Sequence, residues 1–402
     1  MPRIWRRLRR LRRSNVIATA LLITALVLMV VVNFESEADV FEPPGAVSRS
    51  PETPVLIPAG EPIVLGFSGP LTGPLATFGG PEANAAISGV LRWKELNGDR
   101  IHGHRVDLVG EDDGGTEEDV AVVAANLLLA RPRLVGIVGP VFSATAVATI
   151  DIYSAAGVIM ISGSASRTDL TLTQSEPGFF FRTAFANAVE GPRQAEILIA
   201  RLTTGTAFII DDREAYGIDL AQRAVAPLRD AGWEIVRESV PQGTVDFSEL
   251  VRRIVAADPD AVVFEGFNPE GALLLRQLRD GGYGGLFMAG DGVVSQSGFI
   301  GVLGDVAEGA ILTGCPDTLS GDFVRLWQSG GGGAVPPISF LGSTADAAFL
   351  LIDAVARVAE PQPDGSLLIH PLKLRDAIAA TQTVGWASGR QIAFDQHGDR
   401  VG

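Results

Sequence analysis

The chain has 402 residues, more than one average domain, and 47% hydrophobic against 20% charged residues, a balance that excludes intrinsic disorder. Its net charge of −15 is unevenly spread: arginines crowd residues 3–13, so the remainder is more acidic than the total, which argues against nucleic acid as a partner. The single cysteine, Cys315, excludes an internal disulfide and, at the end of the apolar stretch from Ala310, reads as a buried, inert thiol.

The arginine-rich start is followed by an uncharged apolar run from Val16 to Val32. As a helix it would be about 25 Å long, near the short limit for spanning a bilayer and longer than a signal-peptide core. Two readings stand, an uncleaved signal anchor and a cleaved secretory signal; the lack of a small-x-small site near residues 30–40 favours the anchor. Residues 1–15 then form a basic cytoplasmic stub, 16–34 the transmembrane anchor or signal, and the rest lies outside the cytoplasm. No cysteine directly follows the run, so lipid attachment there is excluded. Residues 35–60, rich in Pro, Glu and Ser, read as a flexible tether.

From residue 62 strands and helices alternate. Ile63 to Phe67 is a continuous apolar strand, as in a sheet covered on both faces. Residues 80–97 follow as a helix with Ala83, Ala86, Ile87, Val90 and Leu91 on one stripe. Strands are expected at Arg105 to Val109, Leu134 to Val138 and Val158 to Ile161, and helices at Glu118 to Ala130 and Ser143 to Ala156. A boundary falls near Phe181 to Thr183. A second series then begins, with helices at 188–202, 216–231, 246–257 and 270–280 and strands at 206–210, 233–240, 261–264 and 286–289. The repeated grammar predicts an α/β chain of two similar, doubly wound lobes. Gly330 to Gly333 reads as a surface loop, and Thr344 to Val358 and Leu372 to Ala380 as further helices.

Nearly every strand ends in small and polar residues just before a helix, where open parallel α/β sheets bind ligands. Ser143 follows a tight Gly139-Pro140 turn and reads as the N-cap of a helix whose first N–H groups would suit a carboxylate; alone, a serine cap is commonplace. Ser164, Ala165 and Ser166 end the next strand. Asp291, between Gly290 and Gly292, could face an ammonium or simply form an Asp-Gly turn. Tyr216 and Phe267 would supply apolar walls, with Phe78 capping from the first loop. Together they describe one site, with donors for a carboxylate, an acid for an amine and aromatics for an aliphatic tail.

At these residues the chain resembles the branched-chain amino acid (leucine/isoleucine/valine) binding proteins of ABC importers, with the type I periplasmic-binding fold. The stretches that carry the likeness are Gly66 to Gly73, Leu134 to Ser143, Ile161 to Leu170, Asp211 to Gly217 and Phe287 to Val293. The resemblance implies two lobes of parallel sheet joined by a three-strand hinge, crossed near residues 183, 315 and 384. Lobe 1 would then be 61–183 plus 316–384, and lobe 2 would be 184–315 plus 385–402. It implies that Ser143 and Ser166 bind the ligand carboxylate, that Ala165 offers its carbonyl to the ammonium, that Asp291 pairs with that ammonium, and that Phe78, Tyr216 and Phe267 close around the side chain. It further implies lobe closure on a small amino acid and delivery to a membrane permease, without a cofactor. Three departures stand out. Asp291 is shorter than the acid many members carry, Phe142 stands where some have a disulfide cysteine, and the chain stops at Gly402 where relatives usually add a strand.

Other readings are a catalyst and a tethered sensor. No GxxxxGK[ST] motif occurs, and none of His102, His104, His370 and His397 falls at a strand end as a base for Ser143, so no enzyme is expected and no metal. The His102-x-His104 pair reads as a surface hairpin. A membrane-tethered sensor for an amino acid, amide or urea-like ligand would need a separate signalling partner, because no signalling segment follows.

Overall fold

The computed structural model describes residues 48–174, 178–314 and 318–401. The apolar run at 16–34 and Cys315 lie outside the described residues. Among the described residues no helix is long and apolar enough to cross a membrane.

Residues 48–60, inside the segment expected to be a tether, are part of the fold. Val55–Ile57 (β1) pairs antiparallel with Leu367–Ile369, and the Arg49 guanidinium donates to the Leu129 and Leu134 carbonyls at 3.0 Å each. The tether is therefore shorter than 35–60. Ile57 is fully buried in the adjoining core, and burial of that kind outweighs the Pro-rich composition around it.

The first sheet is built on Ile63–Gly69 (β2), buried along its whole length. Arg100–Ile101 (β3), His104–Asp112 (β4), Leu134–Val138 (β5), Ile159–Ser162 (β6) and Phe180–Arg182 (β7) complete it in the order β3-β4-β2-β5-β6-β7. All pairs are parallel except β3–β4. The helices Ala76–Asn97 (α1), Glu118–Leu129 (α2) and Ser143–Ala155 (α3) connect these strands. Because α1 starts at Ala76, Phe78 lies in its first turn and not in a loop. Its buried face is rotated from the expected stripe: Ala86 and Val90 are buried, Ala83, Ile87 and Leu91 only half so, and Phe78, Glu82, Ala85, Gly89 and Trp93 join the buried set.

After Asn187–Leu202 (α4) comes a second, wholly parallel sheet. Thr206–Asp211 (β8), Glu234–Ser239 (β9), Ala261–Glu265 (β10), Leu286–Ala289 (β11) and Ile311–Leu312 (β12) lie in the order β12-β11-β10-β8-β9. Ala215–Asp230 (α5), Ser248–Ala257 (α6) and Asn268–Asp280 (α7) connect them. One apolar cluster holds Phe208, Val262, Phe264 and Phe287, a second Ala207, Ile209, Val263 and Met288, so the strand residues alternate between two covered faces.

Gly321–Ser329 (α8), Leu341–Val358 (α9) and Pro371–Ala379 (α10) return to the first sheet. α9 packs on α1, where Gly89 admits the Ala345 carbonyl; a Cβ there would lie 2.3 Å from that oxygen. We expect Gly89→Ala to cost about 1–3 kcal/mol through overpacking, more than its helix propensity gains, read as a lower urea midpoint at unchanged slope.

Two further expectations are corrected. The β3–β4 hairpin forms as expected, with His102, at φ +48°, and Gly103 as its turn, but His104 is not at the surface. His104 is buried, its ring nitrogens 2.8 and 3.1 Å from the Glu61 and Gly365 carbonyl oxygens. Near residue 384 the chain turns back: Gln382–Val384 pairs antiparallel with Gln391–Ala393. Residues 385–402, expected in the second lobe, bond instead around the first sheet. The Ala387 amide donates to Asp346 on α9 at 2.9 Å, Asp399 pairs with the buried Arg182, and the Arg182 amide donates to the Gly398 carbonyl at 3.1 Å.

Candidate functional site

The carboxyl ends of both sheets meet at one cavity of about 40 Å³. From the first sheet's side come Phe78, Glu82, Val141, Phe142, Ser143, Ser164 and Ser166; from the second come Tyr216, Phe267, Asp291 and Gly292, and the segment before α9 adds Ile338, Ser339 and Phe340. All the expected site residues except Ala165 therefore line one hollow. Ala165 is buried, and its carbonyl faces the Arg182 guanidinium at 3.4 Å.

Ser143 is not the cap of its helix. Phe142 takes the cap position in extended backbone (φ −103°, ψ 149°), and Ser143 is the first helical residue. No side chain caps α3, so its first N–H groups are left for the cleft. The Ser143 hydroxyl accepts the Arg167 amide at 3.1 Å, which leaves its own proton to be donated. Ser166 is buried, and its carbonyl accepts from the Asn187 amide at 2.7 Å, tying this loop to α4.

Asp291 opens a short 3₁₀ turn after β11. The Tyr216 hydroxyl donates to Asp291 Oδ1 at 2.8 Å and accepts the Gly292 amide at 3.1 Å, so Tyr216 holds the acid in place besides forming a wall. The Asp291 amide donates to Glu190 Oε1 at 3.1 Å, which also accepts the Thr313 hydroxyl at 2.7 Å. Burial and then the Asp291 charge push Glu190 well above the usual carboxylate range. Burial raises Asp291 too, but hydrogen bonding with Glu190 and Tyr216 opposes that rise. Glu190 is thus raised further than Asp291. Glu265, raised well above the usual range by burial, lies beside Gln194 and the Gly290 amide without a well-formed bond to either.

Four rings form the apolar wall. Phe142 lies 4.7 Å from Phe267 and 5.8 Å from Phe78; Phe267 is 6.0 Å from Phe78 and 5.4 Å from Tyr216, centroid to centroid. Phe142 and Phe267 occupy the cap positions of α3 and α7, which explains why they meet between the sheet ends. Among the described residues no lysine or arginine lines the cavity, and no cluster of His, Cys, Asp and Glu is arranged to hold a metal ion.

The sequence reading missed Glu82, Ile338, Ser339 and Phe340 as lining residues, and treated Phe142 only as a lost cysteine. Glu82 left a signal: it stands four residues after Phe78 and four before Ala86, on the buried face of α1. Phe340, at φ +73° and tilted against Phe185 at 5.2 Å between centroids, left none, because its backbone strain shows only in the structure.

The periplasmic binding protein family model matches residues 62–398. The chain is 34% identical over 264 residues to a Leu/Ile/Val-binding protein of Rhizobium johnstonii, covering 63% of this chain and 68% of that one. It is 29% identical over 256 residues to a leucine-, isoleucine-, valine-, threonine- and alanine-binding protein of Pseudomonas aeruginosa, covering 63% and 67%. Among solved structures, a leucine binding protein from Thermotoga maritima superposes with a TM-score of 0.72 at 23% identity, over 84% of this chain and 93% of that one, a likeness of fold. With its two α/β sheets, its shared cleft and a family match spanning most of its length, the chain belongs to the periplasmic binding proteins, substrate-binding proteins of the type I fold.

Proposed function

We propose that this protein captures a small aliphatic amino acid, of the leucine, isoleucine and valine kind, outside the cytoplasm and delivers it to an ABC importer. One observation carries the reading: a single cavity lined by Ser143 and Ser166 from one side and by Asp291 and Tyr216 from the other. The ligand carboxylate would take the Ser143 and Ser166 hydroxyls and the first N–H groups of α3, and the ammonium would take Asp291. The aliphatic tail would lie against Phe78, Phe142 and Phe267. A buried carboxylate and a buried ammonium each need a partner, and the two sides supply opposite ones. The names of the relatives support the ligand class.

In this reading residues 61–183 and 316–384 form one lobe and 184–315 the other, with the C-terminal segment joining the first. Closure shifts an open–closed equilibrium by the ligand's extra contacts in the closed state. The apolar run at 16–34 would tether the binding domain to the membrane beside its permease.

Ser143→Ala is the test of the carboxylate half. It should weaken amino-acid binding by about 1–3 kcal/mol in isothermal titration, the loss of a bond to a charged group. It should also lower the melting temperature slightly, because the Arg167 amide loses its acceptor. An unchanged affinity would reduce Ser143 to a structural link.

A further inference from the structure

Glu82 is the acid of the cleft that these roles leave unused. It sits on α1, 3% exposed, and lines the cavity. Ser164 Oγ and Thr344 Oγ1 both approach one of its oxygens, Oε2, at 2.7 and 2.9 Å. Both bonds fall on Oε2, and Glu82 lines the cavity. Ser164 has a second close contact, to the Val141 carbonyl at 2.9 Å. A hydroxyl has one proton, and a carbonyl can only accept. If Ser164 donates to Val141, it can only accept from Glu82, and that carboxyl must carry a proton.

The charged groups that face Glu82 point the same way. They are acids: Asp291 across the cleft and Asp113 beyond β4. The Thr344 and Ser164 hydroxyls are the groups that meet it from α9 and from the loop after β6. Burial carries its carboxyl up to about 8, with those hydroxyls opposing the rise and the two acids adding to it.

We propose that Glu82 is a ligand-binding residue that works in its neutral form, adding a hydrogen-bonding edge to the carboxylate end of the cleft beside Ser143 and Ser166. Neutral, it completes a wall of hydroxyls around the incoming carboxylate. Ionised, it sets a second negative charge against that carboxylate in a cavity with no lining cation. Capture of a zwitterion is then linked to retention of this proton.

The inference rests on the amino-acid reading and deepens it. The test is isothermal titration of L-leucine into the full-chain protein and into Glu82→Gln, from pH 6 to pH 9. The wild-type affinity should fall at least tenfold across that range, whereas that of Glu82→Gln, always neutral, should change less than threefold. Asp291, Glu190 and Glu265 titrate in both proteins, so the difference between the profiles isolates Glu82. A flat wild-type profile or an equal fall in both proteins would each overturn the proposal. Should Glu82→Gln fail to fold, Glu82→Ala takes its place, and a fall in its affinity equal to that of the wild type would overturn the proposal. If the wild type binds no aliphatic amino acid at any pH, the amino-acid reading itself fails; binding with a flat profile removes only the role of Glu82.

Discussion

Replacing Asp291 with alanine should abolish capture of amine ligands while leaving the fold intact. Asp291 is the acid of the second sheet's end that lines the cavity, and its neighbour Glu190 does not line it. The Tyr216 hydroxyl and the Gly292 amide hold it there through one linked set of bonds. A ligand ammonium deprived of its counter-charge inside the closed cleft loses about 3–5 kcal/mol, on the order of 10²–10³-fold or more in affinity. Asp291→Asn should lose nearly as much, since it keeps the shape and removes the charge. Asp291→Ala should melt slightly below the wild type, because the buried Tyr216 hydroxyl loses its acceptor, whereas Asp291→Asn keeps an oxygen for it. Calorimetry with affinity retained in Asp291→Ala would take this residue out of the site.

The ligand-free protein should lose stability as pH rises from about 5 to 8. Burial raises Glu82 to about 8 and Glu190, Glu265 and Asp212 well above their ordinary values. In the unfolded chain these groups titrate near 4. Between the two limits the native state holds more protons than the unfolded state, so stability falls with pH, by about 1.4 kcal/mol per unit for each group within its window. Acids with lowered values, such as Glu249 and Glu360, act below their ordinary range and leave this window untouched. Melting temperatures should therefore drop by several degrees between pH 5.5 and 8. Glu190→Gln should flatten the curve by stabilising the protein more at pH 8 than at pH 5.5. A melting temperature that climbs over the same interval would mean that these carboxyls are ionised and satisfied.

The central strands were legible in the sequence because they are buried on both faces and so appear as apolar runs. Leu134–Val138 and Leu286–Ala289 match the expected strands residue for residue. The strand ends led to the cleft for the same reason: small and polar residues after an apolar run mark where backbone turns toward a helix. Roles were harder to read than places. Ser143 was expected as a cap, but one extended residue, Phe142, shifts the helix start and turns the serine into a partner of Arg167. Ala165 was expected to face a ligand, but Arg182, folded inward against Asp399, takes its carbonyl. The acids Glu82 and Glu190 escaped notice because a glutamate on a helix ordinarily reads as solvated. Only packing against α9 buries Glu82, and only Asp291 and Thr313 define the place of Glu190. The bonds from the C-terminal segment to Arg182 and Asp346 span large separations along the chain, so no local pattern marks them.

The most direct measurement is calorimetric titration of the purified protein with L-leucine, with its des-amino carboxylic acid and with leucinamide. Capture by opposed halves of a cleft, hydroxyls and helix N–H groups for the carboxylate and Asp291 for the ammonium, predicts that leucine binds and that each analogue binds at least tenfold more weakly. Leucine and the des-amino acid binding equally, or no heat with any aliphatic amino acid, would contradict it.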